Sequence, residues 1–405
     1  MAVYVAGEED RHLIKLGLIG CGLIVNNQHV KAFRELMEKA PDLFEIVATC
    51  DIREENARSV AEKIASFQKG RAPNVYTDYK RMLEAEYLDA VSVATPHFAH
   101  HQPAIDALNA GINVLVEKPF AITVKAGRKM NEAADKNKRV LACVEPHRRS
   151  PINRMIDWAI NKARLIGDPR FFLYHRIFYN LGVVVGTPWR HQKVQSGGGW
   201  VFDGEVHYVD FLRMVFGDVA KVYAQVKNFE STRYLDQKNL ANPVPSDVED
   251  TAFAVLTFKS GLIGSFIWTV AAVGEQVMNR CYYGSQGSLN HPDARRDANM
   301  RTKSGETMSF DELEKRFMES LSQKEKERLF PLGMMNNYSI SFYDFFDSIV
   351  NKRPPEITGE DALAAQAICD AILESATVGE AVSVKDVVEG RIDAYQREIN
   401  EYWKI

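Results

Sequence analysis

The sequence predicts an α/β protein: a parallel sheet in the N-terminal part, then an open antiparallel or mixed sheet. Three observations lead there. From residue 14 to 145, short runs rich in Val, Ile and Leu alternate with helix-length segments, the order expected of a parallel sheet with right-handed crossovers. The first run ends on Gly20-Cys21-Gly22, a tight-turn signal placed before a helix. After about residue 150, strand-like runs follow one another, as in sheets built without βαβ units.

In order, the N-terminal strands are predicted at 15–20, 45–50, 90–94, 113–116 and 140–144. Their unbroken apolar character fits strands covered on both faces. Helices are predicted at 28–39, 54–67, 103–110 and 124–136, with Gly111 and Asn137 in the C-cap positions of the last two. Further on, 170–179 is a strand-like run mixing aromatic and basic residues, and 203–216 carries apolar residues at helical spacing. Strands follow at 221–227, Thr251–Phe258 and 262–270, the last two joined by the hairpin signal Ser260-Gly261. The charge-dense stretch 293–328 is read as loop plus one or two exposed helices, either a solvated insertion or a cover over a site. Amphipathic helices are expected at 338–350 and 361–377, separated by Pro354-Pro355, and a polar helical tail at 386–405. Two domains are expected, 1–147 (with a polar N-terminal extension at 1–13) and 148–405.

Bulk numbers narrow the function classes. A chain of 405 residues, 46% hydrophobic and 26% charged, with net charge −4, is an ordinary globular composition. It gives no global electrostatic reason to bind nucleic acid or an anionic membrane. Cys21, Cys50, Cys143, Cys281 and Cys369 are scattered and odd in number, which suits buried free thiols better than a disulfide framework or a zinc site. Residues 1–12 lack a signal-peptide core, and no run approaches 18 apolar residues. A cytoplasmic protein is expected.

Four motifs carry chemistry. In Gly20-Cys21-Gly22-Leu23-Ile24-Val25, glycine lets the backbone approach a pyrophosphate, and the following helix end offers N–H groups and a positive dipole. Val25 stands where a third glycine is usual, which predicts looser helix–strand packing; taken alone the motif equally fits a structural turn. Asp51, directly after the second strand, is placed to bind adenosine ribose hydroxyls and so favours NAD. Arg53 leaves NADP open through a 2′-phosphate, and a helix-capping role for Asp51 is the plain alternative. The run Ala94-Thr95-Pro96-His97-Phe98-Ala99-His100 follows the next strand, at the sheet end where ligands bind. Its histidines, with His101, suggest a metal less than ordinary capping or core roles, and no metal is expected.

Glu117-Lys118-Pro119 ends the strand after that. A lysine in a partly desolvated cleft can share or relay a proton; a Glu–Lys surface pair is the bland reading. Last come Trp189-Arg190, the triple glycine 197–199 and Asp203-x-x-x-His207. The spacing puts Asp203 and His207 one turn apart on a helical face, and a carboxylate beside histidine can orient it for acid–base work.

Together these residues resemble the Gfo/Idh/MocA family, over about 15–384. The resemblance rests on Gly20-x-Gly22, Ala94-Thr95-Pro96, His100, Ala110-Gly111, Glu117-Lys118-Pro119, Trp189-Arg190, Gly197-Gly198-Gly199 and Asp203-x-x-x-His207-x-x-Asp210. It implies a Rossmann domain plus an α/β domain with a large, open, mainly antiparallel sheet, through which members often form homodimers or homotetramers. It implies an NAD(P)-dependent oxidoreductase acting on a secondary carbinol of a sugar, glycoside or cyclic polyol. Lys118 falls on the catalytic lysine, His207 on the acid–base histidine and Asp203 on the substrate-binding aspartate. Thr95, Pro96, His100 and Glu117 fall on the nicotinamide side, with His97 among them, while Gly20, Cys21, Gly22, Leu23, Ile24, Asp51 and Arg53 hold the rest of the cofactor. Trp189, Arg190, Glu205 and the catalytic groups are the expected substrate contacts. Three positions depart from the family: Val25, His97 where Asn is usual, and Glu205 where a small residue is usual. Glu205 has two readings, a hydrogen bond to substrate or an ion pair that holds the loop. Rival functions on the same fold are C=C or imine reduction, dihydrodiol dehydrogenation, and a non-catalytic dinucleotide sensor.

Overall fold

The computed structural model describes residues 13–291 and 300–405; the expected N-terminal extension lies outside them, apart from residue 13. No helix among them is long and apolar enough to cross a membrane. The chain sorts into two compact units, but not by one cut after residue 147. Met1–Glu117, Lys129–Val144 and Phe330–Gly359 form the first, and Lys118–Arg128, Glu145–Leu329 and Glu360–Ile405 the second.

The first unit is built on strands β1 Ile14–Ile19, β2 Phe44–Cys50, β3 Asn74–Tyr76, β4 Ala90–Val93, β5 Asn113–Glu117 and β6 Leu141–Val144. All are parallel, in the order β3-β2-β1-β4-β5-β6. The order reverses between β1 and β4, so the loops leaving their carboxyl ends flank the crevice where such sheets bind ligands. The five strands read from the sequence lie within about a residue of those observed. The three-residue β3 and the helix Tyr79–Ala85 were not foreseen, being too short to show a period. Gly111 takes φ +81° just past its helix, but Asn137 is still helical and Lys138 is the residue with positive φ. The late helix Asn337–Val350 belongs to this unit: Phe342 meets Phe33 and Phe346 stacks on Phe44, each at 4.5 Å.

The second unit holds strands β7 Pro169–Ile177, β8 Val219–Lys227, β9 Thr232–Asp236, β10 Ala241–Pro245, β11 Thr251–Phe258, β12 Ile263–Thr269, β13 Val277–Gly284, β14 Gly287–Asn290, β15 Met300–Thr302, β16 Thr307–Met308 and β17 Val382–Ser383. Nine of them make one open sheet, β16-β15-β14-β13-β7-β12-β11-β8-β17, antiparallel except at β7–β12. Strands β9 and β10 form a separate hairpin. Alternation along β11 buries Ala252, Ala254 and Leu256 and exposes Phe253 and Val255, the period of two that separates a covered face from an open one. On the covered face Phe172, Tyr174 and Phe266 are buried.

Part of the charge-dense stretch lies outside the described residues. The rest forms β15, β16 and two helices, Phe310–Ser320 and Gln323–Leu329, and the first of these buries Phe310, Leu313 and Phe317 rather than standing in solvent. The expected tail is two short helices, Val384–Val388 and Arg397–Trp403, with Asn400 bonded to Thr123 at 2.8 Å.

Candidate active site

The glycine turn closes the carboxyl end of β1. Gly20 has φ +89°, and a Cβ there would stand 2.6 Å from the Ala94 carbonyl, so the turn lies flat on the loop leaving β4. Only glycine meets both conditions. Asp51 ties the turn to the end of β2. One carboxylate oxygen accepts the Cys21 N–H at 2.8 Å, and the other accepts the Arg53 N–H at 2.9 Å. The helix after the turn passes through a π-helical turn, Val25–His29, where the third glycine is missing and Val25 is buried.

This surface suits a dinucleotide. A Cβ built on Gly22 meets nothing within 4 Å, and Leu23 and Ile52 are 52% and 91% exposed. Open backbone for a pyrophosphate thus lies next to apolar side chains for an adenine and a carboxylate for a ribose. Thr95 and Pro96 are half-buried on the adjoining loop, the Thr95 hydroxyl donating to the Ala99 carbonyl at 2.8 Å. His97 and His100 are buried, and His100 Nε2 pairs with the Thr95 carbonyl at 2.8 Å. The His100 bond ties the two ends of this loop together. Among the described residues no group of three metal-ligating side chains gathers here or elsewhere. Glu117 is buried too, its carboxylate 2.7 Å from Nε2 of the fully buried His29. The sequence reading missed His29, whose partner is 88 positions away.

The catalytic candidates gather within the second unit. Lys118 Nζ donates to Asp203 twice, to the backbone carbonyl at 2.7 Å and to Oδ1 at 3.1 Å. Arg190 Nε donates to the other carboxylate oxygen of Asp203 at 2.8 Å. One buried carboxylate therefore aims two cations. Trp189 lies under the Arg190 guanidinium, 4.3 Å from ring centre to Cζ.

Asp203 and His207 do not share one helix. Asp203 ends a short turn, Trp200–Asp203, and His207 belongs to the helix Val206–Phe216, with Gly204-Glu205 between them. The carboxylate bonded to His207 is that of Glu145, whose two oxygens lie 2.6 and 2.7 Å from Nδ1. Burial pushes the Glu145 carboxyl up from its ordinary range, and Lys118 is among the nearby charges that oppose this. His147 stacks on His207, with ring centres 4.1 Å apart. Glu145 was missed because Glu145-Pro146-His147 carries no familiar pattern; its place after a parallel strand was the available signal.

Of the two readings of Glu205, the geometry fits the carboxylate that holds the loop. It is 2% exposed and accepts from the Tyr174 hydroxyl, from Trp200 Nε1 at 3.1 Å and from Arg176 at 3.4 Å. Arg148 is also committed, its Nε donating to the buried Asp210 at 2.9 Å. That pair gives the Asp210 of the motif its partner.

Comparison with known proteins bears on the family and the fold. Residues 14–144 match the family model described as an oxidoreductase family with an NAD-binding Rossmann fold, and residues 159–290 match the GFO/IDH/MocA C-terminal domain. The 1,5-anhydro-D-fructose reductase of Ensifer adhaerens is 27% identical, across 74% of this chain and 80% of that protein. The levoglucosan dehydrogenase of Pseudarthrobacter phenanthrenivorans is 24% identical across 92% of this chain and 99% of its own. Among solved structures, levoglucosan dehydrogenase in complex with NADH and L-sorbose superposes with a TM-score of 0.72 at 24% identity, covering 92% of this chain and 98% of that one. An oxidoreductase from Thermotoga maritima does so with a TM-score of 0.71 at 23% identity, covering 93% and 100%. At such identities the structural likeness speaks for the fold alone.

Proposed function

The chain belongs to the Gfo/Idh/MocA family of NAD-binding oxidoreductases, and from that premise we propose that it oxidises or forms a secondary carbinol of a sugar, glycoside or cyclic polyol, with Lys118 and His207 managing the proton. The observation that carries this reading is the paired arrangement in the second unit. Glu145 clamps His207 Nδ1, Asp203 aims Lys118, and the Lys118 charge bears on that same Glu145.

The bound nicotinamide supplies hydride transfer. Gly20-Cys21-Gly22, Leu23 and Ile24 would hold its pyrophosphate and Asp51 the adenosine ribose. Asp51 favours NAD over NADP, while exposed Arg53 keeps NADP within reach. Thr95 and Pro96 would border the nicotinamide, supported from behind by His97, His100 and Glu117. In the oxidative direction His207 takes the hydroxyl proton at Nε2, because Nδ1 is committed to Glu145. Lys118 donates a hydrogen bond to the same oxygen and stabilises the developing alkoxide. Asp203 and Arg190 hold the neighbouring hydroxyls. Names of relatives such as the D-glucoside 3-dehydrogenase of Escherichia coli support the carbinol chemistry and the sugar-like class.

The open face of the large sheet supports a homodimer or homotetramer. Tyr223, Phe253, Val255 and Ile263 are all close to half exposed on neighbouring strands, an apolar patch of the kind monomers rarely leave bare.

A panel of sugars and cyclic polyols followed by NADH absorbance tests the reading. Lys118→Ala and His207→Ala are each expected to lower kcat by roughly a hundredfold or more while dinucleotide binding persists. Folded variants with full turnover would sink it.

A further inference from the structure

A cavity of about 410 Å³ lies wholly within the second unit. Asp203 and Arg190 border it, but among the described residues neither Lys118 nor His207 does. Lys118 nonetheless stands next to its rim, since it donates to Asp203 at 2.7 and 3.1 Å. Its walls set flat aromatic faces, Trp200, Trp268 and Phe178, beside the polar side chains of Asn180, Gln237 and Arg176. Sugar rings offer the matching surfaces, C–H faces for the aromatics and hydroxyl edges for the polar groups.

Trp200 is fixed in that wall by its surroundings. Its Nε1 donates to Glu205 at 3.1 Å, and its ring lies nearly parallel to Trp268, at 15° and 6.3 Å. The Arg176 guanidinium stands 6.0 Å over the Trp200 ring and is itself held by Glu205 at 3.4 Å. A Cβ on Gly204 would stand 2.2 Å from the indole, so the absence of a side chain at 204 is what lets the ring lie there. Glu205, which contributes nothing to the cavity surface, thereby sets two of its walls.

We propose that this cavity is the subsite for the second ring of a two-ring polyhydroxylated substrate, a glycoside in preference to a free monosaccharide, stacked on Trp200, with Glu205 as the residue that positions the indole. The proposal rests on the reading that Lys118 and His207 act on the first ring. A cavity that shares Asp203 and Arg190 with the catalytic cluster, and adds aromatic and amide walls beyond them, offers a second ring a place beside the first.

Calorimetric titration of the enzyme with NADH present tests it. The probes are matched pairs in the gluco, galacto, manno and xylo series, each free sugar against its phenyl glycoside and a disaccharide. At least one series should show the two-ring ligand binding about tenfold more tightly, and no preference in any series overturns the subsite. Trp200→Ala and Glu205→Ala should close that gap, while Glu205→Gln, which keeps an acceptor for the indole N–H, should retain most of it. A gap that survives Trp200→Ala also overturns the proposal, and the wild-type titration decides the matter if a variant does not fold. Turnover is scored separately. Binding preference without turnover counts against the carbinol reading alone, and turnover without preference counts against the subsite alone.

Discussion

Both carboxylate oxygens of Glu145 lie within hydrogen-bond reach of a single atom, Nδ1 of His207, at 2.6 and 2.7 Å. A buried carboxylate on one imidazole nitrogen fixes the tautomer and aims the other nitrogen. Glu145→Gln keeps the shape and removes the charge. Its kcat is expected to fall about a hundredfold, with NAD affinity measured by fluorescence titration unchanged. Equal turnover in variant and wild type would remove Glu145 from the acid–base machinery.

Asp51 holds the glycine turn, and under the proposed function it would also set the cofactor preference. Asp51→Ala takes a hydrogen-bond acceptor from the Cys21 and Arg53 N–H groups and a negative charge from the ribose position. KM for NAD is expected to rise about tenfold or more, while KM for NADP rises less or falls. Parallel losses for both cofactors would mean that the carboxylate matters only to the turn.

Glu249 makes stability depend on pH. Burial pushes its carboxyl up from 4.5 to about 7, against the N–H groups of Gly199 and Val201, which donate to it at 2.7 and 3.2 Å and favour the charge. An acid that holds its proton more tightly in the folded chain gives stability that is complete below its unfolded pKa. That stability is lost as pH rises through the folded one. Between pH 4.5 and pH 8 this group alone is expected to remove about 3 kcal/mol. Urea unfolding at several pH values should therefore show a shallower decline in Glu249→Gln than in the wild type; identical slopes would dismiss the effect.

The Arg148–Asp210 pair is structural. Asp210 is 1% exposed, and burial pushes its carboxyl up despite the guanidinium beside it. Removing one partner strands the other charge, which costs about 3 to 5 kcal/mol. Arg148→Ala is expected to unfold at a correspondingly lower urea concentration, whereas Arg148→Met with Asp210→Leu recovers much of the loss. A single variant as stable as wild type would show that the pair contributes nothing.

The parts of the site that were legible share one property: their signals are local. Gly20 and Gly22 follow an apolar run directly, and Lys118 sits at a strand end beside Glu117 and Pro119. Glu145 was not legible as a partner for His207, because the two are 62 positions apart and nothing in either neighbourhood names the other. Glu205 shows the reverse limit. Its place between Asp203 and His207 left a substrate contact and a loop-holding ion pair equally open, and only its burial and its bonds to Tyr174, Trp200 and Arg176 separate the two.

Taken by itself, the sequence determined the alternation of strands and helices in the N-terminal part, the family, and a set of side chains able to carry chemistry. Apolar periodicity and short motifs are properties of neighbouring residues, and they survive without coordinates. Tertiary structure alone decided the pairings: Glu145 with His207, Asp203 with both Lys118 and Arg190, Glu205 with Trp200. A hydrogen bond depends on separation in space. The chain leaves that separation undetermined until its sheets are packed, when desolvation settles which charges must find partners.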